Sequence, residues 1–484
     1  MPRGDQYQLD GDSAALKTQP AEYTPPKRLP RKGQQTLDNV DSGSDGLGAV
    51  EFSANLNRGG GSLGAIRQSL KSAITWFAEA PWLNLKRLRI YPKLFLVAYV
   101  LTFTLWVMTL HGMVSRVGKP IGVDFEVNWA ASEMALRGEP SAVYDFKRFH
   151  AMEEEAVGSG TFAGPWIYPP TFLIVVLPQA LLPYLWSLAV WMTLTFVSYC
   201  LVLRKIIPRT ETFLPALAFP GAFANLMNGQ NGLLAFSVLG VALLSVESNP
   251  ILGGMFFGFL TYKPPMGVLV PFVLVATGRW RAFFAAVITA TALAVVSLVM
   301  FGAETWRAFF GALGFTRQMV IENGGVKFYT MQSVFAAVRL LGGGIGAGYF
   351  AQIVAAATAA AIVIWIWRQN IQFELKASAF AVGMVLASPY ILYYDLVILG
   401  LPIAWLALEG QRSGFLPFEK SLLVIAWILP LLCESVAQHA SIPLTPLVSV
   451  LLLTFIIRRA KLAAPRRNRT SWQGPADAPV EACR

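Results

Sequence analysis

The chain has 484 residues, of which 55% are hydrophobic and only 14% charged, with a formal net charge of +11. Soluble domains carry about 25% charged residues, so this composition, with a mean hydropathy of +0.51, excludes an ordinary soluble fold and points to an all-α polytopic membrane protein with soluble ends. The positive balance does not indicate nucleic acid, because the basic residues are scattered at the ends of apolar runs, where they set orientation and meet anionic headgroups.

Residues 1–62 are rich in Gly, Pro, Ser, Asp and Lys, including Pro25-Pro26-Lys27-Arg28 and Asn57-Arg58-Gly59-Gly60-Gly61. Such a segment buries too little apolar surface to fold and is expected to be a disordered cytoplasmic tail. It contains no apolar core for a signal peptide, so the first membrane helix is expected to act as an uncleaved insertion signal. In 63–92, Leu63, Ile66, Leu70, Ile74, Trp76, Phe77, Trp82 and Leu83 alternate with Arg67, Lys71 and Glu79 at helical spacing. The pattern fits either a helix lying in the headgroup plane or an ordinary helical lead-in. The membrane domain is expected over 93–460, followed by a basic cytoplasmic tail over 461–484.

Lys86, Arg87, Arg89 and Lys93 precede the apolar run 94–115. The positive-inside rule therefore leaves both termini cytoplasmic and places the loop 116–167 on the opposite face. Thirteen further apolar segments follow, at 168–183, 185–203, 212–227, 231–246, 250–262, 264–277, 282–301, 331–341, 345–367, 377–392, 394–408, 420–436 and 443–457. Treating 168–183 and 331–341 as re-entrant reconciles the count with the charges and leaves about 12 spans. Pro, Gly or polar residues interrupt many of them, and irregular backbone at membrane depth requires a protein-lined or wet cavity.

On this topology one face collects most of the interrupting polar residues. It holds the 116–167 loop, Asn228-Gly229-Gln230-Asn231, Tyr262-Lys263-Pro264-Pro265, the 302–330 loop, and Ser388-Pro389-Tyr390 with Tyr393-Tyr394-Asp395. The loop itself begins Gly122-Val123-Asp124-Phe125-Glu126, continues through Ala142-Val143-Tyr144-Asp145 and ends Trp166-Ile167-Tyr168-Pro169-Pro170. A carboxylate just past a first membrane helix, with a loop long enough to fold over it, marks a reaction centre at the membrane face.

These pieces resemble glycosyltransferase family 87. Asp124-Phe125, Gly138 to Tyr144-Asp145, Tyr168-Pro169-Pro170 with Pro178, Asn228-Gly229-Gln230, Lys263-Pro264, and Ser388-Pro389-Tyr390 with Tyr394-Asp395 occur in the family's order over roughly residues 94–460. The resemblance implies a GT-C type bundle with a helical first loop, a polyprenyl-phosphate sugar donor with mannose as the best-known sugar, and a glycolipid or glycan acceptor. It also implies inverting transfer on the non-cytoplasmic face of a bacterial-type inner membrane, with Asp124 as the catalytic acid/base.

Glycosyl transfer to a hydroxyl needs a base for its proton and a cation for the leaving phosphate. Asp124 either serves as that base or caps the helix that follows. Glu126, Asp145 and Asp395 are second candidates, whereas Glu153-Glu154-Glu155 reads as a solvated face. Lys263, an ionisable residue in an apolar stretch, either binds the donor phosphate or snorkels to the interface. Arg317, Lys327 and Arg339 are alternative phosphate ligands. Asn228, Gln230 and Asn231 can bind sugar hydroxyls or satisfy broken-helix backbone, and Tyr394 shares that ambiguity. Tyr168 and Trp166 suit either sugar stacking or an interfacial aromatic belt.

Cys200 and Cys433 lie in apolar segments and read as core residues; Cys483 lies in the tail. His111, His150 and His439 have no metal-ligand spacing, so no zinc and no resident cofactor is expected. A divalent cation occurs in the wider superfamily, but there is no clear carboxylate pair for one. Two rival readings are a transporter or lipid-sugar flippase, which broken helices also suit, and a non-catalytic scaffold, which would make Asp124 dispensable.

Overall fold

A computed structural model describes residues 61–115, 118–161, 164–208 and 213–463. The expected disordered tail before residue 61 and most of the basic C-terminal tail lie outside the described residues. Helix α1 (Gly61–Glu79) precedes α2 (Leu85–Val107), whose first turn is closed by the Asn84 side chain accepting from Arg87 N. A two-residue hairpin, β1 (Leu110–His111) and β2 (Val114–Ser115), turns the chain into α3 (Val123–Leu136). A 3-10 turn at Pro140–Tyr144 and α4 (Phe146–Val157) complete a helical first loop.

The remaining helices are α5 (Pro170–Val176), α6 (Tyr184–Ile206), α7 (Phe213–Leu217), α8 (Pro220–Asn228), α9 (Gly232–Ser245), α10 (Pro250–Phe259), α11 (Pro264–Gly267) and α12 (Leu269–Ala276). They continue with α13 (Trp280–Thr316), α14 (Val334–Leu340), α15 (Ile345–Trp367), α16 (Phe373–Ala387), α17 (Gly400–Ser413), α18 (Glu419–Ala440) and α19 (Leu444–Ala463). The described residues from Ser62 onward form one compact unit.

Among the described residues six helical segments are long and apolar enough to cross a membrane, where about twelve spans were expected; four shorter apolar helices lie at Pro170–Leu181, Gly232–Ser245, Pro250–Tyr262 and Pro264–Ala276. Three of these four shorter helices begin at a proline, and the fourth begins at Gly232 just after the polar Asn231. Proline opens α5, α8, α10 and α11, because it lacks an N–H and tolerates the first helical turn but not the interior. Lipid-facing sides are apolar: Val100 and Leu101 on α2, Trp186 and Leu194 on α6, Val299 on α13 and Phe350 and Ile353 on α15 are all exposed. The centre is α16 and the 3-10 segment Tyr393–Leu399, whose side chains are almost all buried.

One expectation is corrected here. The stretch 302–330 is not a loop throughout: the backbone leaves the helix at Gly302 (φ 80°, ψ 163°), a second helical stretch within α13 runs from there to Thr316, and Arg317–Glu322 winds as a π-helix. Small residues give helix α10 its close approach to α13: a Cβ on Gly254 or Gly258 would meet the carbonyl oxygens of Ala282 or Ala286 at 2.2 and 2.4 Å. That is the packing by which helices associate without a hydrophobic driving force. At the ends of α17, α18 and α19, buried Arg459 grips Glu419 and donates to Ser413 Oγ and Gly414 O, each at 2.8 Å.

Candidate active site

Two glycines bring the start of α3 against the end of α8. Gly229 closes α8 in the left-handed region at φ 68°, and a Cβ there would lie 2.5 Å from Phe125 Cβ and 3.2 Å from Gly122 Cα. Gly122 precedes α3, also at positive φ, with no side-chain cap. Asp124 therefore lies inside the first turn of α3 and is not its N-cap residue, and Gln230 is delivered to it.

Gln230 and Asn231 occupy the break between α8 and α9. Gln230 N donates to Asn225 O at 3.0 Å, and its Oε1 accepts from Asn231 N at 2.7 Å. Lys263 occupies the break between α10 and α11. Its Nζ donates to Asn231 Oδ1 at 3.0 Å and to Asp395 Oδ1 at 2.6 Å, and its side chain is 8% exposed while that of Asp395 is 1% exposed. Asp395 Oδ2 accepts from Leu392 N at 3.2 Å, and Asn231 Nδ2 donates to the Tyr168 hydroxyl at 2.8 Å. Two helix breaks and the 3-10 segment Tyr393–Leu399 thus meet at one polar centre, and each supplies a side chain to it.

Asp124 faces that centre. Burial pushes its carboxyl up to about 7; the charge of Asp395 adds to the rise, while Lys263, a hydrogen bond from Gln230 and the more distant Lys119 oppose it. A carboxyl in this range is half-ionised at neutral pH and suits a general base. Lys119 is exposed, lies five residues before Asp124, and is tied back to β2 by its N–H to Ser115 Oγ at 3.1 Å.

Sequence reasoning located Asp124, Gln230, Asn231, Tyr168, Lys263 and Asp395, and the fold brings all six together. Tyr394 is buried beside them, its carbonyl held by Asn225 Nδ2 at 2.6 Å. Asn228 Nδ2 donates to the Tyr393 hydroxyl at 2.9 Å. Tyr168 and Trp166 lie neither in a lipid belt nor open to solvent. They are buried against Phe172, with ring centroids 4.5 and 5.7 Å away, and Phe172 stacks in turn on Tyr262 at 4.9 Å.

Other candidates lie elsewhere. Asp145 is exposed and caps α4, accepting from Lys147 N and Arg148 N. Arg317 and Arg339 gather on Glu322: Arg317 pairs with its carboxylate at 3.2 Å, and Arg339 donates to its carbonyl and covers the Phe328 ring. Lys327 is exposed.

Glu126 points away from Asp124, as residues two apart on a helix must. It is fully buried, accepts from Thr161 Oγ1 at 3.0 Å, and leaves Oε1 without a partner among the described residues. The Glu153-Glu154-Glu155 run is not the uniform solvated face expected. Glu153 is fully buried, accepts from Gly164 N at 3.2 Å, and lies 3.2 Å from His150 Nδ1. Burial pushes Glu126 up to about 8 and Glu153 up to about 9, and the Glu126 charge adds to the rise at Glu153. These two carboxyls pin the strand that leads into Trp166–Tyr168.

Sequence reasoning read Glu153 as solvated, named Tyr393 within the polar turn without giving it a role, and passed over Lys119 and Glu434, the last an acid inside an apolar helix. Among the described residues no three His, Cys, Asp or Glu side chains stand together as metal ligands.

The model of glycosyltransferase family 87 matches residues 166–389 of the chain. No curated protein and no solved structure matches it.

Proposed function

We propose that this chain, a member of glycosyltransferase family 87 and therefore a membrane glycosyltransferase, moves a hexose, mannose first among them, from a polyprenyl phosphate to a hydroxyl of a glycolipid or glycan. The proposal puts the protein in the inner membrane of a bacterial-type cell, both termini in the cytoplasm and Asp124 on the opposite face. It assigns no cofactor.

In this reading the acceptor hydroxyl gives its proton to the Asp124 carboxylate as its oxygen attacks the anomeric carbon. The bond from that carbon to the phosphate oxygen breaks, and the polyprenyl phosphate leaves with the electron pair. One displacement inverts the anomeric centre. Cations are needed where the phosphate gathers charge. The Lys263 nitrogen is already shared between Asp395 and Asn231, so it acts as a fixed positive field; exposed Lys119 is the added candidate for direct contact.

The observation that carries this reading is the setting of Asp124. A half-buried carboxyl raised toward neutrality stands beside a polar centre built at two helix breaks and the 3-10 segment Tyr393–Leu399. The test is reconstitution of the purified chain in lipid nanodiscs with radiolabelled polyprenyl-phosphate sugars and native glycolipid extract. A labelled glycolipid formed with one donor supports the proposal. Movement of the intact donor across vesicles without product would replace it by a flippase.

A further inference from the structure

Glu434 lies on α18, a membrane-crossing helix, one turn after Pro430. An ionised side chain there is costly and is retained for function by default. Among the described residues the carboxylate accepts one neutral hydrogen bond, from Thr330 Oγ1 at 3.0 Å. A carboxylate offers about four lone-pair sites, and Glu434 is only half-buried.

Its surroundings are built rather than incidental. The segment that carries Thr330 is strapped to the tyrosine turn, with Gln332 N donating to Ile391 O at 2.7 Å and Met331 bridging to Leu392. Thr445 Oγ1 fixes the Gln332 side chain at 2.8 Å. The 3-10 segment that opens with Tyr393 packs on both α8 and α18, and α8 in turn meets α3; Asn228 donates to the Tyr393 hydroxyl. Asn228, Tyr393 and Glu434 are each half-buried, unlike the enclosed Lys263–Asp395 pair. They form a half-buried polar edge on the elements that pack around the start of α3.

We infer that Glu434, with Tyr393 and Asn228, is a sugar-orienting subsite that accepts hydrogen bonds from vicinal hydroxyls of a pyranose ring beside Asp124. Adjacent hydroxyls are the neutral donors that a carboxylate can take in pairs. The same negative charge repels a phosphate, so it favours the sugar over the lipid phosphate at this end. The inference rests on the glycosyltransferase reading and deepens it. The ring belongs either to the transferred sugar or to the acceptor.

The test uses the full chain in nanodiscs, with polyprenyl-phosphate mannose as donor and octyl α-mannoside as acceptor, comparing wild type with Glu434→Gln and Thr330→Val. Glu434→Gln keeps the shape and weakens a charge-assisted contact, so the KM for one substrate rises about tenfold or more while kcat holds within about threefold. A rise for the donor alone assigns the ring to the transferred sugar; a rise for octyl mannoside alone assigns it to the acceptor. Unchanged KM values for both, or a loss confined to kcat, overturn the inference. Thr330→Val leaves the carboxylate in place and raises the same KM by a smaller factor. If wild type transfers nothing, the mannosyl transfer reading fails on its own. Saturation-transfer NMR of octyl mannoside then decides the subsite: binding by wild type that Glu434→Gln weakens supports it, and equal or absent binding overturns it.

Discussion

Removing the Lys263 charge tests the polar centre most sharply. At 2.6 Å, Lys263 and Asp395 attract by roughly 6 kcal/mol at an effective dielectric of about 20. Desolvation of two nearly inaccessible ions costs several kcal/mol each, so the pair as a whole is near break-even. Lys263→Met leaves Asp395 buried, held by the Leu392 N–H alone, and is expected to destabilise the fold by about 3–5 kcal/mol. Asp395→Asn strands the lysine and costs a similar amount. The double variant Lys263→Met/Asp395→Asn removes both charges and keeps an acceptor for Leu392 N–H, so it should return to within about 2 kcal/mol of wild type. The assay is denaturant titration from detergent micelles, followed by tryptophan fluorescence, with sugar transfer measured on the same preparations. The double variant should be stable and still at least about tenfold slower, because the field at the leaving phosphate is gone. A stable Lys263→Met single variant would refute the buried-pair argument. A double variant with full activity would make the pair purely structural.

Two further outcomes follow from the first loop and its junction with α8. The folded-state pKa values of Glu126 and Glu153, about 8 and about 9, lie above the unfolded value of about 4.3; their stabilising contribution is complete below that value and is lost as pH rises through 8 to 9. The melting temperature should therefore fall between pH 5 and 9, and Glu153→Gln should flatten that fall; an identical slope in the variant would contradict the assignment. Gly229→Ala forces a Cβ to within 2.5 Å of Phe125 Cβ and should cost about 1–3 kcal/mol of stability, with activity reduced further as Gln230 moves from Asp124. A fully active, wild-type-stable Gly229→Ala protein would show that the glycine contact does not position the site.

Much of the centre was legible because membrane depth makes polar residues expensive. Lys263 and Asp395 stood out inside apolar runs, and Asn228 to Asn231 interrupted one. The structure then gave these residues each other as partners, a pairing that no local pattern encodes. Glu153 was misread because a run of three acids looks uniformly solvated, whereas helical spacing buries one of them and leaves Glu155 exposed against Arg137. Asp145 looked like a site acid for the reason that makes it a cap, a carboxylate placed just before a helix. Proline-opened helices such as α10 and α11 have membrane composition without the length of one straight span, so apolar runs and long helices do not correspond one to one. The apolar run read as 282–301 does stop at Gly302, where the backbone leaves the helix before a second helical stretch begins.

The central claim is that Asp124 takes the acceptor's proton, and the pH profile of Asp124→Asn transfer in nanodiscs tests it directly. Wild-type turnover should rise with pH around an apparent value of about 7, the direction required of a base that works ionised. The amide variant should lose about 10²–10⁴-fold in kcat and show no such rise. Turnover within about threefold of wild type, with the same rise intact, would contradict the claim.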